Sequence, residues 1–560
     1  MKRLTYISIC IFFLNLFSQS SLMAKEGFKE RIYLQTDKSV YLAGELMWLK
    51  AYLVNNSGNP SDISKIGYIE LLDESLPFVQ IKIEIQKGLG TGWIQIPVTL
   101  STGNYRLVAY TRNMLNEGEE VFFAKNVSII NTFKAEEHIL INTDSVNTKH
   151  AIDISSFNVN VTSDKTFYSN RDKGFVNLEN LPLDVYSLSV SIAGTDITGN
   201  EKTVNIGEWN SIIKNLNTSY SGEWIPEYEG HIITGKLIQI KEEKETKFTP
   251  FIGLPGNKIN VFAGKIEEDN LVSFYTHNIT GTQEIVTNVI SEKNTYRLDI
   301  QSPYAFHSEV KLPIFKLQAQ WEKELLKRSV GLQVLQTYMT DSLSILRESE
   351  SNFRYKPDWS FLLDHYTRFT TMEEVVVEFV TGLRFRRINN KRYLSVFIPS
   401  RNEYSLDNSL VLIDGVIVSD HELIYKYNPL LVERIDVYSG RYIWGEQVFE
   451  GIAAFWTYEN NYPSLKLDSS IQFFDYEGTQ PYRYFYAPQY NSEEEIESPL
   501  PDFRHTLLWE PYIETPQKTS ITIPFTTSDL TGDFLVTVEG ITIDGKPIYG
   551  NTIFQVNKGK

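Results

Sequence analysis

Cysteine is nearly absent from this sequence. The 560 residues include one, Cys10, inside an apolar run over residues 4–17 that follows two basic residues. This pattern predicts a secretory signal peptide over residues 1–24, and its removal takes the cysteine with it. We expect a mature chain with no disulfide, no thiolate nucleophile and no cysteine-ligated metal. Cys10 does not follow a small residue at the end of the run, so no lipid anchor is predicted.

Long apolar runs and basic charge are also lacking. Beyond the leader, no stretch approaches 18 uninterrupted apolar residues, so no transmembrane helix is expected after signal cleavage. The formal net charge is -17, the pI is about 5.1 and no dense basic patch is visible. A nucleic-acid partner is therefore not expected, because phosphate binding requires clustered lysine and arginine.

Recognisable catalytic and metal-binding motifs are missing as well. The eight histidines are scattered, with no H-x-x-x-H pair, so no metal site is predicted. There is no G-x-S-x-G elbow. The glycine-rich residues 88–92 join two strand-like runs and are not followed by a helix, so a hairpin is expected there and not a phosphate loop. We expect no enzyme activity, no catalytic residues and no cofactor.

What the chain does contain is apolar sequence in short alternating runs. Hydrophobic residues make up 42% and aromatic residues 13%, enough for several packed cores. Strand-like runs of this kind, bounded by Gly, Ser, Asn and Asp, predict a mainly β, multidomain chain.

One decapeptide occurs twice. Residues 36–45 read TDKSVYLAGE, and residues 163–172 read SDKTFYSNRD, with Ser for Thr and Arg-Asp for Gly-Glu. The first copy resembles the T-D-K-x-x-Y-x-x-G-E signature of macroglobulin-type β-sandwich domains, in which it marks a strand entry and turn and carries no catalysis. The repeat implies tandem macroglobulin- or Ig-like β-sandwiches, which we place at residues 25–133 and 134–225.

Three further regions are predicted outside these two sandwiches, two of them β domains and one a helical linker. Residues 226–315 predict a third sandwich, either macroglobulin-like or similar to carboxypeptidase-regulatory domains. Residues 316–365 predict a helical linker, because Leu317, Trp321, Leu325 and Leu332 recur at helical spacing. Residues 461–560 resemble a late macroglobulin domain.

The stretch over residues 409–458 has a different pattern. Apolar runs at 410–414, 434–438 and 451–457 predict strands, Asp414 and Gly415 a turn, and residues 428–433 a short helical piece. Together with the helix expected at 371–380, this order resembles the plug domain of TonB-dependent outer-membrane receptors. We place a small α+β plug-like domain at residues 366–460, inserted among the sandwiches. The roughly 100 residues that follow are too few for a receptor barrel, so we expect a plug without a pore.

The resemblance suggests the partner-contact residues. The candidates are Asp414, Gly415, Arg441, Tyr442 and Trp444. Residues 444–447 read WGEQ where protease-trapping macroglobulins carry a Cys-Gly-Glu-Gln thioester, and without the thiol no thioester can form.

Three hypotheses about function remain open at this point. The first is an exported, non-enzymatic binding or scaffolding protein of the Gram-negative envelope, in the periplasm or associated with the outer membrane, that docks with an outer-membrane barrel protein. The second is a thioester-less, macroglobulin-like protein that interacts with proteases, through an acidic loop at residues 492–498. The third is glycan binding by the aromatic residues near Tyr484 and Tyr486, although a buried strand face is the preferred explanation of residues 471–490.

Overall fold

The computed structural model describes residues 28–134, 140–142, 156–157, 159–195, 197, 204–242, 248–277, 279–291, 295–338, 344–345, 353–406, 408–463, 471–515 and 517–558. The predicted signal peptide lies outside these residues. The chain forms two compact units. Unit 1 comprises residues 1–228, 304–346 and 479–560, and unit 2 comprises residues 229–303 and 347–478.

The strands are numbered in chain order. Residues 28–142 contain β1 (Glu30–Thr36), β2 (Val40–Leu42), β3 (Leu46–Asn55), β4 (Ile66–Asp73), β5 (Leu76–Gln86), β6 (Leu89–Gln95), β7 (Gly103–Tyr110), β8 (Phe123–Ile130) and β9 (Leu140–Asn142). Residues 156–195 contain β10 (Ser156–Phe157), β11 (Asn160–Ser163), β12 (Phe167–Tyr168), β13 (Lys173–Glu179) and β14 (Val185–Gly194). Residues 232–318 contain β15 (Ile232–Gln239), β16 (Phe248–Gly253), β17 (Val261–Ala263), β18 (Lys265–Ile266), β19 (Leu271–Tyr275), β20 (Thr282–Ser291), β21 (Tyr296–Ile300) and β22 (Lys316–Gln318). Residues 344–457 contain β23 (Ser344–Ile345), β24 (Trp359–Leu362), β25 (Leu383–Ile388), β26 (Lys391–Ile398), β27 (Glu403–Tyr404), β28 (Leu410–Ile413), β29 (Val416–Ile417), β30 (Val432–Trp444) and β31 (Gln447–Thr457). The last are β32 (Gln472–Glu477), β33 (Tyr482–Arg483), β34 (Thr506–Glu510), β35 (Ile521–Thr526), β36 (Gly532–Thr542) and β37 (Pro547–Val556).

Helices are few and mostly short. The α-helices are α1 (Ile206–Ile213), α2 (Glu322–Tyr338), α3 (Met372–Glu378), α4 (His421–Lys426) and α5 (Glu493–Ile496). Single 3-10 turns lie at Arg112–Asn116, Glu119–Val121, Glu268–Asn270, Ala319–Trp321, Leu363–His365 and Pro429–Leu431. The chain is mainly β and multidomain, as the alternating sequence predicts.

The first sandwich, in unit 1, uses strands β1 to β8 in the order β1-β3-β6-β5-β4-β7-β8-β2. Strand β5 pairs with β4 along its length but with β6 only through Ile85 and Gln86, so the sheet folds into two layers there. Strand β2 runs parallel to β8. The enclosed core includes the fully buried Tyr41, Tyr52 and Leu34, and the sandwich also buries charged groups such as Lys50 and Glu70.

The second sandwich is assembled from both ends of the chain. One sheet has the order β10-β37-β36-β14-β34, with β12 parallel to β37, and the other has the order β11-β13-β35. Residues 134–225 and 461–560, expected to form separate domains, therefore share sheets. The reason is that β14 finds both its neighbours, β36 and β34, more than 300 residues along the chain, and alternation in a strand does not identify its partner.

Both copies of the repeated decapeptide form the same hydrogen-bonded turn. In the first copy the Tyr41 hydroxyl donates to Asp37 Oδ1 over 2.8 Å, and the same oxygen accepts the Trp48 N–H at 3.0 Å. In the second copy Tyr168 donates to Asp164 Oδ1 at 2.7 Å, and that oxygen accepts the backbone N–H eleven residues after the aspartate, at 2.6 Å. The signature is thus a structural element in each domain, as the resemblance implies.

The lysine of each copy also has an equivalent position. Lys38 Nζ lies 2.9 Å from Glu45, and Lys165 Nζ lies 3.0 Å from Asp172, at the same spacing in the sequence. The copies differ at the turn. Gly44 has φ 91°, whereas the equivalent Arg171 has φ 53°, in a region that side chains rarely occupy.

The second-copy arginine compensates for its strained backbone through its contacts. The Arg171 guanidinium pairs with Asp529 at 2.6 Å and donates to the carbonyl oxygens of Ile496, Ser498 and Leu500 at 2.9, 2.8 and 2.7 Å. The predicted acidic loop at residues 492–498 is consequently an anchored segment that contains α5, whose Ser492 and Glu495 form a capping box.

Helix α2 and its preceding turn, which lie within the predicted helical linker at residues 316–365, pack against the first sandwich. Trp321, Leu325 and Leu332 are buried with Val40 and Ile130 in one cluster. A charged group, Arg328, lies on the same face and forms a buried ion pair with Glu45 at 2.7 Å.

The segment before α2 crosses the first sandwich and carries a buried histidine. His307 Nε2 lies 2.8 Å from Glu70, and its Nδ1 lies 3.3 Å from Glu119. Burial opposes the charged form, but the hydrogen bonds and charges of the two carboxylates raise the pKa of His307 above its ordinary value.

In unit 2, the third sandwich has two four-stranded sheets. Their orders are β18-β19-β15-β21 and β17-β16-β20-β32. Strand β32 lies at residues 472–477, within the aromatic stretch, and completes the sheet that β16 and β20 begin. Only part of that stretch is a buried strand face: Tyr476 is buried, whereas Tyr484 and Tyr486, which belong to unit 1, are exposed and lie outside any strand.

The region of unit 2 predicted to be plug-like, residues 366–460, has a five-stranded sheet of order β24-β30-β31-β28-β29 and a three-stranded sheet of order β25-β26-β27. Strand β24 comes from residues 359–362, which were expected to belong to a helical linker. Helix α3 lies within the predicted range 371–380, with Thr371 and Glu374 as its capping box. Helix α4, absent from our prediction, places His421 in the core, where its Nδ1 accepts the Leu394 N–H at 2.9 Å. Burial lowers the pKa of His421 to about 4.

Candidate functional site

The five predicted contact residues fall into two groups. Asp414 and Gly415 form the turn between β28 and β29, and both are buried. Arg441, Tyr442 and Trp444 lie on the paired end of the β30–β31 hairpin. The structure does not bring the two groups together as one exposed surface.

Asp414 has a structural role. Its φ is 47° and that of Gly415 is 82°, as a two-residue hairpin turn requires. The carboxylate accepts the Thr457 N–H at 2.7 Å, the Thr457 hydroxyl at 2.6 Å and the Tyr462 N–H at 2.6 Å. A Cβ on Gly415 would lie 2.8 Å from the carbonyl oxygen of Leu254. The Asp-Gly pair is therefore buried by contacts within unit 2, and its side chains are not accessible to a partner.

The β30–β31 hairpin is longer than predicted. We expected strands at 434–438 and 451–457 joined by a loop, whereas β30 runs to Trp444 and β31 begins at Gln447. Residues 444–447, which read WGEQ, form the tight turn, with Trp444 paired to Gln447 and Gly445 at φ 57°. We call residues 441–450 the hairpin end.

One face of the hairpin end is aromatic. The Trp444 ring stacks on Phe353 with centroids 5.6 Å apart, and the Tyr442 ring lies 5.5 Å from Phe353 and 5.6 Å from Tyr355. Burial raises the pKa of Tyr442 to about 12. The turn is fixed to the third sandwich by the Gln447 amide, which donates to Thr249 Oγ1 at 3.1 Å. The hairpin end is thus braced on this face.

The opposite face is exposed. Ile443 and Val448 are cross-strand partners, and they are 69% and 40% exposed. Beside them Arg441 lies 3.4 Å from Glu450, which also pairs with Arg401 at 2.6 Å. This combination of an apolar pair and charged neighbours on a braced backbone can take part in protein contact.

Sequence reasoning missed Ile443 and Val448. The alternation of Arg441 and Ile443 with Tyr442 and Trp444 was the available signal, since residues two apart on a strand share a face. The apolar runs predict a loop between the strands at 434–438 and 451–457, and a loop has no such alternation.

The described residues contain no group of three or more His, Cys, Asp or Glu side chains that could hold a metal ion. Within the same part of the chain, no helix combines the length and the apolar character needed to cross a membrane.

Similarity to known proteins is confined to solved structures. The E. coli alpha-2-macroglobulin activated by porcine elastase matches 95% of this chain and 44% of its own length, at 8% identity and a TM-score of 0.25. The Salmonella alpha-2-macroglobulin reacted with methylamine matches 95% of this chain and 40% of its own length, at 9% identity and a TM-score of 0.24. The chain spans less than half the length of these structures. No protein-family profile and no curated protein sequence matches it.

Proposed function

We propose that the chain is an exported, non-enzymatic binding or scaffolding protein of the Gram-negative envelope, and that the hairpin end is its docking element. The proposed partner is an outer-membrane barrel protein, and the proposed location is the periplasm or an association with the outer membrane. The proposal is supported by the plug-like order of elements in the sequence and by the predicted leader over residues 1–24.

The observation that carries the proposal is the exposed pair Ile443 and Val448 on a braced hairpin. An isolated hairpin is marginally stable, but this one is held from behind by aromatic stacking and at its turn by Thr249. A surface presented on rigid backbone loses little conformational entropy on binding. The charged neighbours Arg441 and Glu450 add polar contacts around the apolar pair.

A crosslinking pull-down from native envelopes tests the proposal. The tagged protein is compared with a double variant, Ile443→Asp with Val448→Asp, and with the control Val377→Asp. Val377 is a matched control because it is 71% exposed in the same plug-like region, on α3. We expect a barrel protein to crosslink to the wild type and to Val377→Asp and to be lost from the double variant.

Two results would contradict the docking proposal. A partner set that is identical for all three proteins would place any docking elsewhere on the chain. If no envelope protein crosslinks to the wild type, the scaffolding proposal itself fails.

A second candidate is a protease-interacting protein that acts without a thioester. It is favoured by the macroglobulin-type signature, which forms the same hydrogen bonds in both domains of unit 1. An added serine protease should then cut the native chain first at residues 492–498 and remain in a stable complex with it. Cleavage without complex formation would argue against this function.

A further inference from the structure

Unit 1 contains a cavity of about 410 Å³ that the hairpin end does not involve. It lies where the first copy of the decapeptide, α2 and residues 503–506, which lead into β34, meet. Its volume is in the range of small-molecule sites in proteins. Four apolar side chains line it, Leu46, Leu332, Leu335 and Phe503.

The remaining lining is polar, with four cations, one carboxylate (Glu45) and neutral groups. Lys38, Arg328, Arg483 and Arg504 all contribute to it. Three of these cations face carboxylates. Lys38 and Arg328 pair with Glu45 at 2.9 and 2.7 Å, and Lys38 also lies 4.0 Å from a second acid, Asp37. Arg504 pairs with the carboxylate of Asp502 at 2.7 Å.

Arg483 differs from the other three. Its guanidinium carbon lies 4.8 Å from the centroid of the Trp93 ring, a cation–π contact. Within the described part of the chain it has no ion pair, and its buried Nε donates no hydrogen bond. Burial lowers the pKa of Arg483, and no neighbouring carboxylate offsets this effect.

A half-buried arginine without a counter-charge is costly, because its desolvation is not repaid. The cost is removed when an anion enters the cavity. Arginine binds a carboxylate through two parallel hydrogen bonds, and the four apolar residues offer a surface to whatever the carboxylate is attached to. One uncompensated cation matches one negative charge.

We propose that this cavity binds a monocarboxylate with an apolar body, with Arg483 as the residue that holds the carboxylate. Two sources have this chemistry: a free apolar acid, and the C-terminal residue of a peptide that ends in an apolar side chain. The site uses residues of unit 1 alone and is independent of the docking proposal.

The second copy of the decapeptide explains why the cavity is associated with the first. At the position of Gly44, which lines the cavity, the second copy has Arg171, and its guanidinium is used by Asp529 and three carbonyl groups.

Isothermal titration calorimetry of the purified protein tests the proposal with three probes. These are acetyl-Leu-Phe with a free carboxylate, the same dipeptide as its C-terminal amide, and octanoate. We expect at least one carboxylate probe to bind with a millimolar or lower dissociation constant, and the amide to bind at least tenfold more weakly than the free dipeptide if the dipeptide binds. Binding of the dipeptide alone identifies a peptide C-terminus as the source, binding of octanoate alone identifies a free acid, and binding of both supports the shared chemistry.

Three variants assign the site. Arg483→Gln should weaken binding of the carboxylate probe at least tenfold. Leu335→Trp should weaken it as much by filling the cavity while the charge stays, and it keeps the test valid if the arginine variant does not fold. Arg384→Gln is the control, since Arg384 also lies over an aromatic ring, at 4.3 Å from the centroid of Tyr404, but belongs to unit 2.

The proposal is overturned if neither carboxylate probe binds at millimolar concentration. It is also overturned if the dipeptide amide binds as tightly as the acid, or if both cavity variants bind like the wild type.

Discussion

Replacing Asp414 with alanine should lower the free energy of unfolding of the plug-like region far more than is usual for a residue in a turn. The fully buried carboxylate accepts two backbone N–H groups and one hydroxyl, at 2.6 to 2.7 Å. Removing it leaves the N–H groups of Thr457 and Tyr462 without an acceptor, and each such loss costs about 1–3 kcal/mol. The hydroxyl can rotate toward another acceptor, so we count only the two N–H groups and expect a loss of about 4 kcal/mol.

Alanine is also disfavoured at the φ of 47° found at this position. Asp414→Asn should cost less, because asparagine tolerates this backbone conformation and retains one carbonyl oxygen, although its amide nitrogen then faces a donor. For a domain of about 100 residues, 4 kcal/mol corresponds to a shift of the unfolding temperature of roughly 15–30 °C.

Hydrogen–deuterium exchange with mass spectrometry is the appropriate assay, since a multidomain chain has no single unfolding transition. Peptides covering residues 410–417 and 447–457 should exchange faster in Asp414→Ala, and less so in Asp414→Asn. The control is Asp475→Ala, an exposed aspartate of the same unit, which should change stability by no more than about 0.5 kcal/mol. If Asp414→Ala exchanged like the wild type in these peptides, the carboxylate would not be what holds the turn.

Three further predictions concern charged groups. The pKa of His307 is higher in the folded state than in the unfolded state. Its contribution to stability is therefore complete below the unfolded pKa of about 6.5 and is lost as pH rises through the folded value. We expect His307→Gln to lower the melting temperature at pH 6 and to have less effect at pH 9. Burial lowers the pKa of His421 to about 4, so the neutral imidazole favours the folded state above about pH 6.5. The plug-like region should lose about 3 kcal/mol of stability between pH 6.5 and pH 4. Hydrogen exchange in this region should become faster over that pH range in the wild type, and His421→Leu should abolish this pH dependence. Arg171→Gly relieves a strained backbone but releases the segment at residues 492–500, so a protease should cut that segment at least several-fold faster. The control is Lys87→Gly, which also replaces a residue of positive φ, 52°, and should not alter the cleavage pattern. Equal cleavage of both variants and the wild type would show that the guanidinium does not anchor the segment.

Local sequence signals predicted individual elements well. The two decapeptides share a Lys–acid spacing and a Tyr–Asp spacing, and both spacings recur as contacts in the structure. The helical stripe through Trp321, Leu325 and Leu332 likewise packs as its period predicts. Such patterns depend on residues close in sequence, so a single chain is enough to read them.

Which strands pair could not be read in this way. The strand over residues 185–194 pairs with residues 506–510 and 532–542, yet nothing in its alternation distinguishes these partners from any other apolar strand. The same limit applied to the candidate site. Asp414 and Gly415 were recognised as a turn, but their burial depends on contacts with residues such as Leu254 and Tyr462 that are remote in sequence.

The two-ended construction of the second sandwich imposes an order on its folding. Its first strands are made early, but their sheets are completed only by residues 506–556. Until then, β14 presents unpaired backbone groups and an apolar face, a state open to wrong pairing. The third sandwich waits in the same way for residues 472–477. Of these two sandwiches, the second begins earlier in the chain and is completed later. A chaperone that holds the nascent or exported chain would therefore have to cover residues 160–194 during most of the synthesis of the protein.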